Sequence, residues 1–326
     1  MIVHPYTRPR RLRKSEAIRS LVQENHIKAT DFIVPLFLME GEESKDEIAS
    51  MPGYYRFTLD LLLQEVKECY DLGLRSVLLF AKIPDELKDP LATEALNPDG
   101  LMQRAIRAIK KFHPEIYVMT DVALDPYSSN GHDGIVKDGE IVNDQSVKLL
   151  GEIALLHAQA GADMVAPSDM MDGRIGEIRK SLDKNGFNMT QILSYAVKYA
   201  SSFYGPFREA VGTKGLLKTD KKNYQMDFRN SNEALREVAL DIREGADMVM
   251  VKPGLPYLDI IKLIKENFKI PVLAYQVSGE YSLLSHGIKK GLFDKSIILE
   301  SLISFKRSGA NAIVSYYADK LDEILK

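Results

Sequence analysis

Eight short apolar runs, rich in Val, Ile, Phe and Tyr, recur along the chain at residues 32–38, 76–80, 116–124, 164–168, 192–200, 248–252, 272–277 and 312–316. Runs of this length and composition read as strands buried on both faces, as in a parallel sheet covered by helices. Amphipathic stretches lie between them, at 61–72, 101–112, 146–160, 232–244, 258–267 and 295–308. Four Gly-Ala or Gly-Leu steps, at Gly73, Gly161, Gly245 and Gly309, stand where a helix should close in a left-handed cap before the next strand. The alternation predicts a single (β/α)8 TIM barrel rather than an open, doubly wound sheet of about six strands. The dinucleotide fingerprint G-x-G-x-x-G of the open sheet is absent after the first run. A chain of 326 residues, 45% of them hydrophobic, can bury such a core as one domain.

Two pieces fall outside this pattern. Residues 1–30 carry the basic cluster Arg8, Arg10, Arg11, Arg13 and Lys14, then a short helix with the apolar stripe Ile18, Leu21 and Val22. That stripe needs a surface to bury it, so an arm packed on a neighbouring subunit is expected, with 31–326 as the catalytic barrel. Residues 202–229 are too long for a simple connection and rich in Gly, Lys and Asp, which suits a lid.

Composition excludes several classes. A formal net charge of -3 argues against a nucleic-acid partner. No apolar run approaches the roughly 20 residues that span a bilayer. The basic N-terminal stretch is not followed by an apolar core, so a secretory signal is not expected. The lone cysteine, Cys69, excludes an internal disulfide and any site with two or more thiolate ligands, and a cytoplasmic location is expected. Cys69 falls in a helical stretch and reads as a small core residue.

In a barrel, chemistry gathers at the C-terminal ends of the strands. Lys252 closes an apolar run, where desolvation would leave a neutral amine able to attack a carbonyl. Lys198 falls near the end of another run, and two lysines lining one pocket would disfavour charge on each other. A snorkelling or ion-paired residue is the plainer alternative for either. Strand alternation would point Asp121, Ala123 and Asp125 to one side. Asp125, His132 and Asp133 suit Mg²⁺, simple hydrogen bonding or an Asx-rich turn. Ser168 ends the fourth run, Tyr275 and Ser278 the seventh and Tyr316 the eighth. The Ser278 and Tyr316 hydroxyls suit a substrate carboxylate, as would Arg208, Lys221 and Gln225 in the lid, unless the lid is only a solvated charged loop. No Ser/His/Asp elbow, P-loop or metalloprotease motif is present.

Several long segments, in order, resemble one family. They are Met250-Val-Lys-Pro-Gly-Leu-Pro-Tyr-Leu-Asp259, Lys198-Tyr-Ala-Ser-Ser-Phe-Tyr-Gly-Pro-Phe-Arg208, Ala166-Pro-Ser-Asp-Met-Met-Asp-Gly-Arg174 and Tyr275-Gln-Val-Ser-Gly-Glu-Tyr281. With the loop 121–134 and the arm, they are similar to porphobilinogen synthases, the 5-aminolevulinate dehydratases, over essentially the whole chain. The resemblance implies that two molecules of 5-aminolevulinate condense to porphobilinogen, a tetrapyrrole precursor, through imines on Lys252 and Lys198. It implies that Arg208, Lys221 and Gln225 hold one substrate carboxylate, that Ser278 and Tyr316 beside Tyr275 hold the other, and that Asp121 and Ser168 place the substrate amine and assist proton transfer.

Zinc-dependent members carry three cysteines where this chain has Ala123, Asp125 and Asp133, so the resemblance points to the aspartate-rich, non-cysteine, magnesium-responsive subgroup. It further implies an allosteric Mg²⁺ at Glu237, bound mostly through water, and a homo-octamer with wrapped arms. Asp125 and Asp133 are then expected at the substrate site. A Schiff-base aldolase is a rival that needs only one lysine and a phosphate site near the last strands. Residues 301–312 offer no glycine-rich phosphate loop. A barrel kept only for binding should have lost a lysine or a carboxylate-binding residue, and none is missing.

Overall fold

The computed structural model describes residues 6–216 and 220–324. Residues 1–5 of the expected arm, 217–219 of the expected lid and 325–326 lie outside the described residues. Eight parallel strands close on themselves: β1 (Phe32–Met39), β2 (Ser76–Lys82), β3 (Tyr117–Val122), β4 (Met164–Pro167), β5 (Gln191–Lys198), β6 (Met248–Lys252), β7 (Val272–Gln276) and β8 (Ala312–Ser315). Each pairs with its sequence neighbour, and β8 returns to β1 through Phe32↔Ile313 and Ile33↔Val314. The expected barrel is the observed one.

Helices α1 (Leu59–Asp71), α2 (Leu101–Phe112), α3 (Asn143–Ala160), α4 (Arg174–Lys184), α5 (Asn232–Glu244), α6 (Leu258–Asn267), α7 (Ser278–Lys289) and α8 (Ser296–Ser308) accompany the strands. Gly161 and Gly245 end α3 and α5 with φ of 107°, a left-handed cap that turns the chain into β4 and β6. α4 and α7 were not among the anticipated helices. β3 stops at Val122, two residues before the anticipated end, because the chain turns at Leu124 with the Tyr127 and Ser128 amides on its carbonyl. After β1 the chain makes an unanticipated excursion, in which Tyr55–Phe57 adds to β1 and Lys45–Glu47 pairs antiparallel with it.

Large rings fill the barrel interior. Phe37 packs on Phe80 and Tyr316, with centroids 5.5 and 6.1 Å apart, and Tyr275 lies 6.4 Å from both Phe80 and Tyr195. All five are buried. Each buried ring contributes roughly 1.5–3 kcal/mol, and together they form an apolar floor beneath the strand ends.

The arm behaves differently. Pro9–Arg13 and Glu16–Leu21 are short helices with no buried residue, and Leu21 is 78% exposed. Among the described residues its apolar stripe is left exposed at Leu21 and Val22 and half-buried at Ile18.

Candidate active site

Lys198 and Lys252 end β5 and β6 as register partners. The register slips between Val249 and Val251: those two residues oppose Ser194 and Val197, so β5 carries one extra residue. Ser194 points outward, donating to Asp241 of α5 and accepting from Arg174. Tyr195 points inward, its ring 5.0 Å from the Lys252 amine. Strict alternation from Tyr195 would send Lys198 outward with Ser194. The bulge reverses that and turns Lys198 into the barrel mouth.

Lys252 is 3% exposed. Its Nζ lies 4.5 Å from the Tyr275 ring centre, 4.7 Å from Phe207 and 5.5 Å from Tyr204. Ring faces favour an ammonium, but desolvation is the larger effect. Burial first, then the charge of Lys198, pushes Lys252 down to about 7. Near neutral pH a large fraction is therefore free amine.

Lys198 sits in the opposite environment. It donates to the Ser168 carbonyl and to Asp133 Oδ2 at 3.3 Å. Lys221 reaches Asp133 at 2.8 Å and Asp125 at 3.2 Å. Burial alone would raise Asp133, but the two lysines outweigh it and hold that carboxyl well below its usual range. For Asp125 burial outweighs Lys221, and its pKa is raised. Asp121 is pushed up to about 7 by burial and by Asp125, against the Ser168 hydroxyl bond and both imine-candidate lysines. One of its oxygens has no hydrogen-bond partner among the described residues. A carboxyl so placed can give or take a proton at neutral pH.

The remaining expected residues divide between two places. The Tyr275 and Tyr316 hydroxyls meet at 3.0 Å, both buried. Ser278 Oγ accepts the Phe207 amide at 2.9 Å, which ties the first lid helix (Gly205–Ala210) to α7. Arg208 is half-buried on that helix. Lys221, expected to hold a substrate carboxylate with Arg208 and Gln225, lies between Asp125 and Asp133 and supplies the cation that two buried carboxylates require. Gln225 is buried and lines a polar cavity of about 480 Å³ whose wall includes Tyr224, Asp172, Glu233 and Glu237. His132 Nδ1 meets the Tyr224 hydroxyl at 3.1 Å. Glu237 is half-buried on α5, and burial raises its pKa despite nearby Arg174, with Asp241, Asp172 and Glu233 adding to the rise.

Sequence reasoning missed the ring cage of Tyr195, Tyr204 and Phe207 around Lys252. It also missed Arg56, whose Nε donates to the Ala210 carbonyl at 2.7 Å and caps the lid helix from the far side of the mouth. The aromatic run 203–207 was the one available signal.

The comparisons with known proteins agree with this geometry. A family model described as Delta-aminolevulinic acid dehydratase matches residues 6–324. A delta-aminolevulinic acid dehydratase from Bradyrhizobium diazoefficiens is 50% identical over 320 residues, covering 98% of this chain and 91% of its own length. A chloroplastic relative of the same name from Glycine max is 52% identical over 316 residues, covering 96% of this chain and 76% of its own. A solved Toxoplasma gondii delta-aminolevulinic acid dehydratase, in complex with the product porphobilinogen, superposes with a TM-score of 0.95 at 52% identity, covering 97% of this chain and 91% of that one. With two strand-end lysines held at one barrel mouth, the chain belongs to the delta-aminolevulinic acid dehydratase family.

Proposed function

We propose that the protein condenses two molecules of 5-aminolevulinate into porphobilinogen, releasing two waters, through imines on Lys252 and Lys198. One observation carries this reading: two buried lysines are register partners, one caged by rings and shifted to about 7, the other bonded to a carboxylate. Neutral Lys252 adds to the keto carbon of one substrate and a water leaves. Lys198 does the same to the other. Each imine draws electrons from the adjacent carbon and acidifies its C–H bond for carbon–carbon bond formation. Asp121, with its unpaired oxygen and its tie to the Ser168 hydroxyl, accepts that proton. Carbon–carbon bond formation consumes one imine, whose lysine amine then leaves by elimination with a neighbouring proton. Attack of a substrate amine on the other imine closes the ring, and loss of the second lysine amine with a further proton leaves the pyrrole and frees both side chains.

Tyr275 lies between the Lys252 amine and the Tyr316 hydroxyl, so the carboxylate of the substrate on Lys252 is assigned to Ser278 and Tyr316. Arg208, Gln225 and Lys221 serve the other carboxylate. Asp125 and Asp133 provide negative potential for a substrate ammonium group.

We assign the chain to the aspartate-rich, magnesium-responsive subgroup. Its one cysteine, Cys69, is buried in α1, away from the loop that carries Ala123, Asp125 and Asp133, so a thiolate zinc site does not fit. Mg²⁺ held mostly through water is assigned to Glu237, which lines one polar cavity with Asp172 and Glu233; among the described residues no three such side chains converge closely enough to hold an ion directly. When bound, the ion supplies countercharge to carboxylates that otherwise repel one another. The uncovered arm helix supports a homo-octamer. No helix among the described residues is long and apolar enough to cross a membrane, and the reading places the enzyme in the cytoplasm.

Borohydride trapping with 5-aminolevulinate, followed by peptide mass mapping, tests the chemistry. Adducts on both lysines, with porphobilinogen in the untrapped control, are expected. No adduct on either lysine in an active sample would remove the imine mechanism.

A further inference from the structure

Glu280 is the third residue of α7 and is 2% exposed, yet it forms no ion pair among the described residues. Its carboxylate accepts three backbone N–H groups. Oε2 takes those of Val277, at 2.7 Å, and Gly254, at 3.2 Å, and Oε1 takes that of Leu255, at 2.6 Å. The Val277 bond is an ordinary cap of a helix N-terminus. The other two bonds do not belong to the helix at all. They cross to the loop that leaves Lys252, two and three residues further on.

That loop is wedged from its other side. A Cβ on Gly254 would stand 2.3 Å from the Phe305 ring and 2.9 Å from the Tyr275 carbonyl, so the backbone has no room to back away from Glu280. Capping α7 alone would need only a neutral acceptor. The site keeps a carboxyl instead, and burial pushes it up to about 7 even with three donors aimed at it. Ser278, two residues before Glu280, opens the same helix.

We propose that Glu280 is a positioning residue, whose carboxylate clamps the loop after β6 to the start of α7 and so fixes the spacing between the Lys252 amine and the Ser278 hydroxyl. This rests on the imine reading above, in which those two groups grip opposite ends of one substrate molecule. The keto carbon must reach the amine while the carboxylate stays on the hydroxyl. A clamp between the two loops therefore sets which chain length of keto acid reacts.

Glu280→Gln tests it. The amide offers one oxygen, so at least one of the three N–H groups loses its acceptor and faces an N–H donor instead. Borohydride trapping is run on wild type and variant, and adducts on Lys252 and Lys198 are counted within each sample. The Lys252:Lys198 adduct ratio is expected to fall about tenfold or more, the loss typical of a buried charge-assisted bond, with KM raised and kcat lowered together. Partial unfolding would lower both adducts equally, so the ratio isolates positioning from stability. Glu280→Asp keeps the charge and the Val277 cap but shortens the reach, and a smaller fall in the same ratio is expected if the glutamine variant does not fold. An unchanged ratio in a folded variant would leave Glu280 as a helix cap and overturn the clamp alone. Absence of both adducts in wild type would overturn the clamp and the imine reading together.

Discussion

Lys198 and Lys252 sit opposite each other across two parallel strands, yet among the described residues only Lys198 has a carboxylate within bonding distance. Lys252 has rings instead. Position on the sheet is shared, and environment separates the two amines.

Activity should follow the free amine of Lys252. Its pKa is depressed to about 7, so raising the pH through that value removes the proton that blocks attack. Asp121, pushed up to about 7, becomes a competent base over the same interval. Both changes act in one direction, and kcat/KM is expected to rise with pH through about 7. Asp121→Asn removes a negative charge that supports the ammonium, so the limb belonging to Lys252 should move to lower pH while kcat drops roughly 10²–10⁴-fold. A profile with no inflection near that pH would show that Lys252 is not the attacking group.

Lys221 is the cation of two buried carboxylates. Lys221→Met should destabilise the fold by about 3–5 kcal/mol, the usual consequence of stranding a buried charge. Urea unfolding at neutral pH measures this directly. The deficit should shrink as the pH falls and the stranded aspartates take up protons. A variant as stable as wild type would mean that solvent already reaches the loop 125–133.

Glu237→Ala should remove the increment that added Mg²⁺ gives to turnover. The check is a Mg²⁺ titration of wild type and variant side by side. Equal stimulation of both would move the ion away from α5.

Leu21→Glu places a charge on the uncovered stripe of the arm. Sedimentation should then show smaller assemblies, while the barrel of each subunit melts as before, because Leu21 is 78% exposed and its helix buries no residue. An unchanged assembly would free the arm of that role.

Most of the barrel was legible because buried parallel strands are apolar along their whole length, so β1, β2, β6, β7 and β8 stand out one by one. β5 stood out less, and its bulge explains why: the inserted residue breaks the repeat that a reader counts. α4 and α7 were missed for a different reason. α4 opens behind Gly173 with a polar first turn, and α7 carries Ser278, Gly279 and Glu280 where an apolar stripe would be sought. The candidate residues came from strand ends and from family resemblance, and their partners did not. That Lys221 finds Asp133, 88 positions earlier, or that Glu280 reaches back to Gly254, depends on how loops meet at the barrel mouth. No local pattern encodes such meetings.

The inserted residue in β5 also bears on stoichiometry. Side-chain chemistry alone does not decide how many substrates this barrel can hold covalently; the parity of a strand does. A strand of the same residues running in strict alternation from Tyr195 would send Lys198 to the helix layer, leaving every catalytic side chain present and one amine at the mouth. Such a barrel could form one imine but could not join two imine-bound partners. A reaction between two molecules of the same compound is, in this protein, written into the backbone count between Ser194 and Lys198.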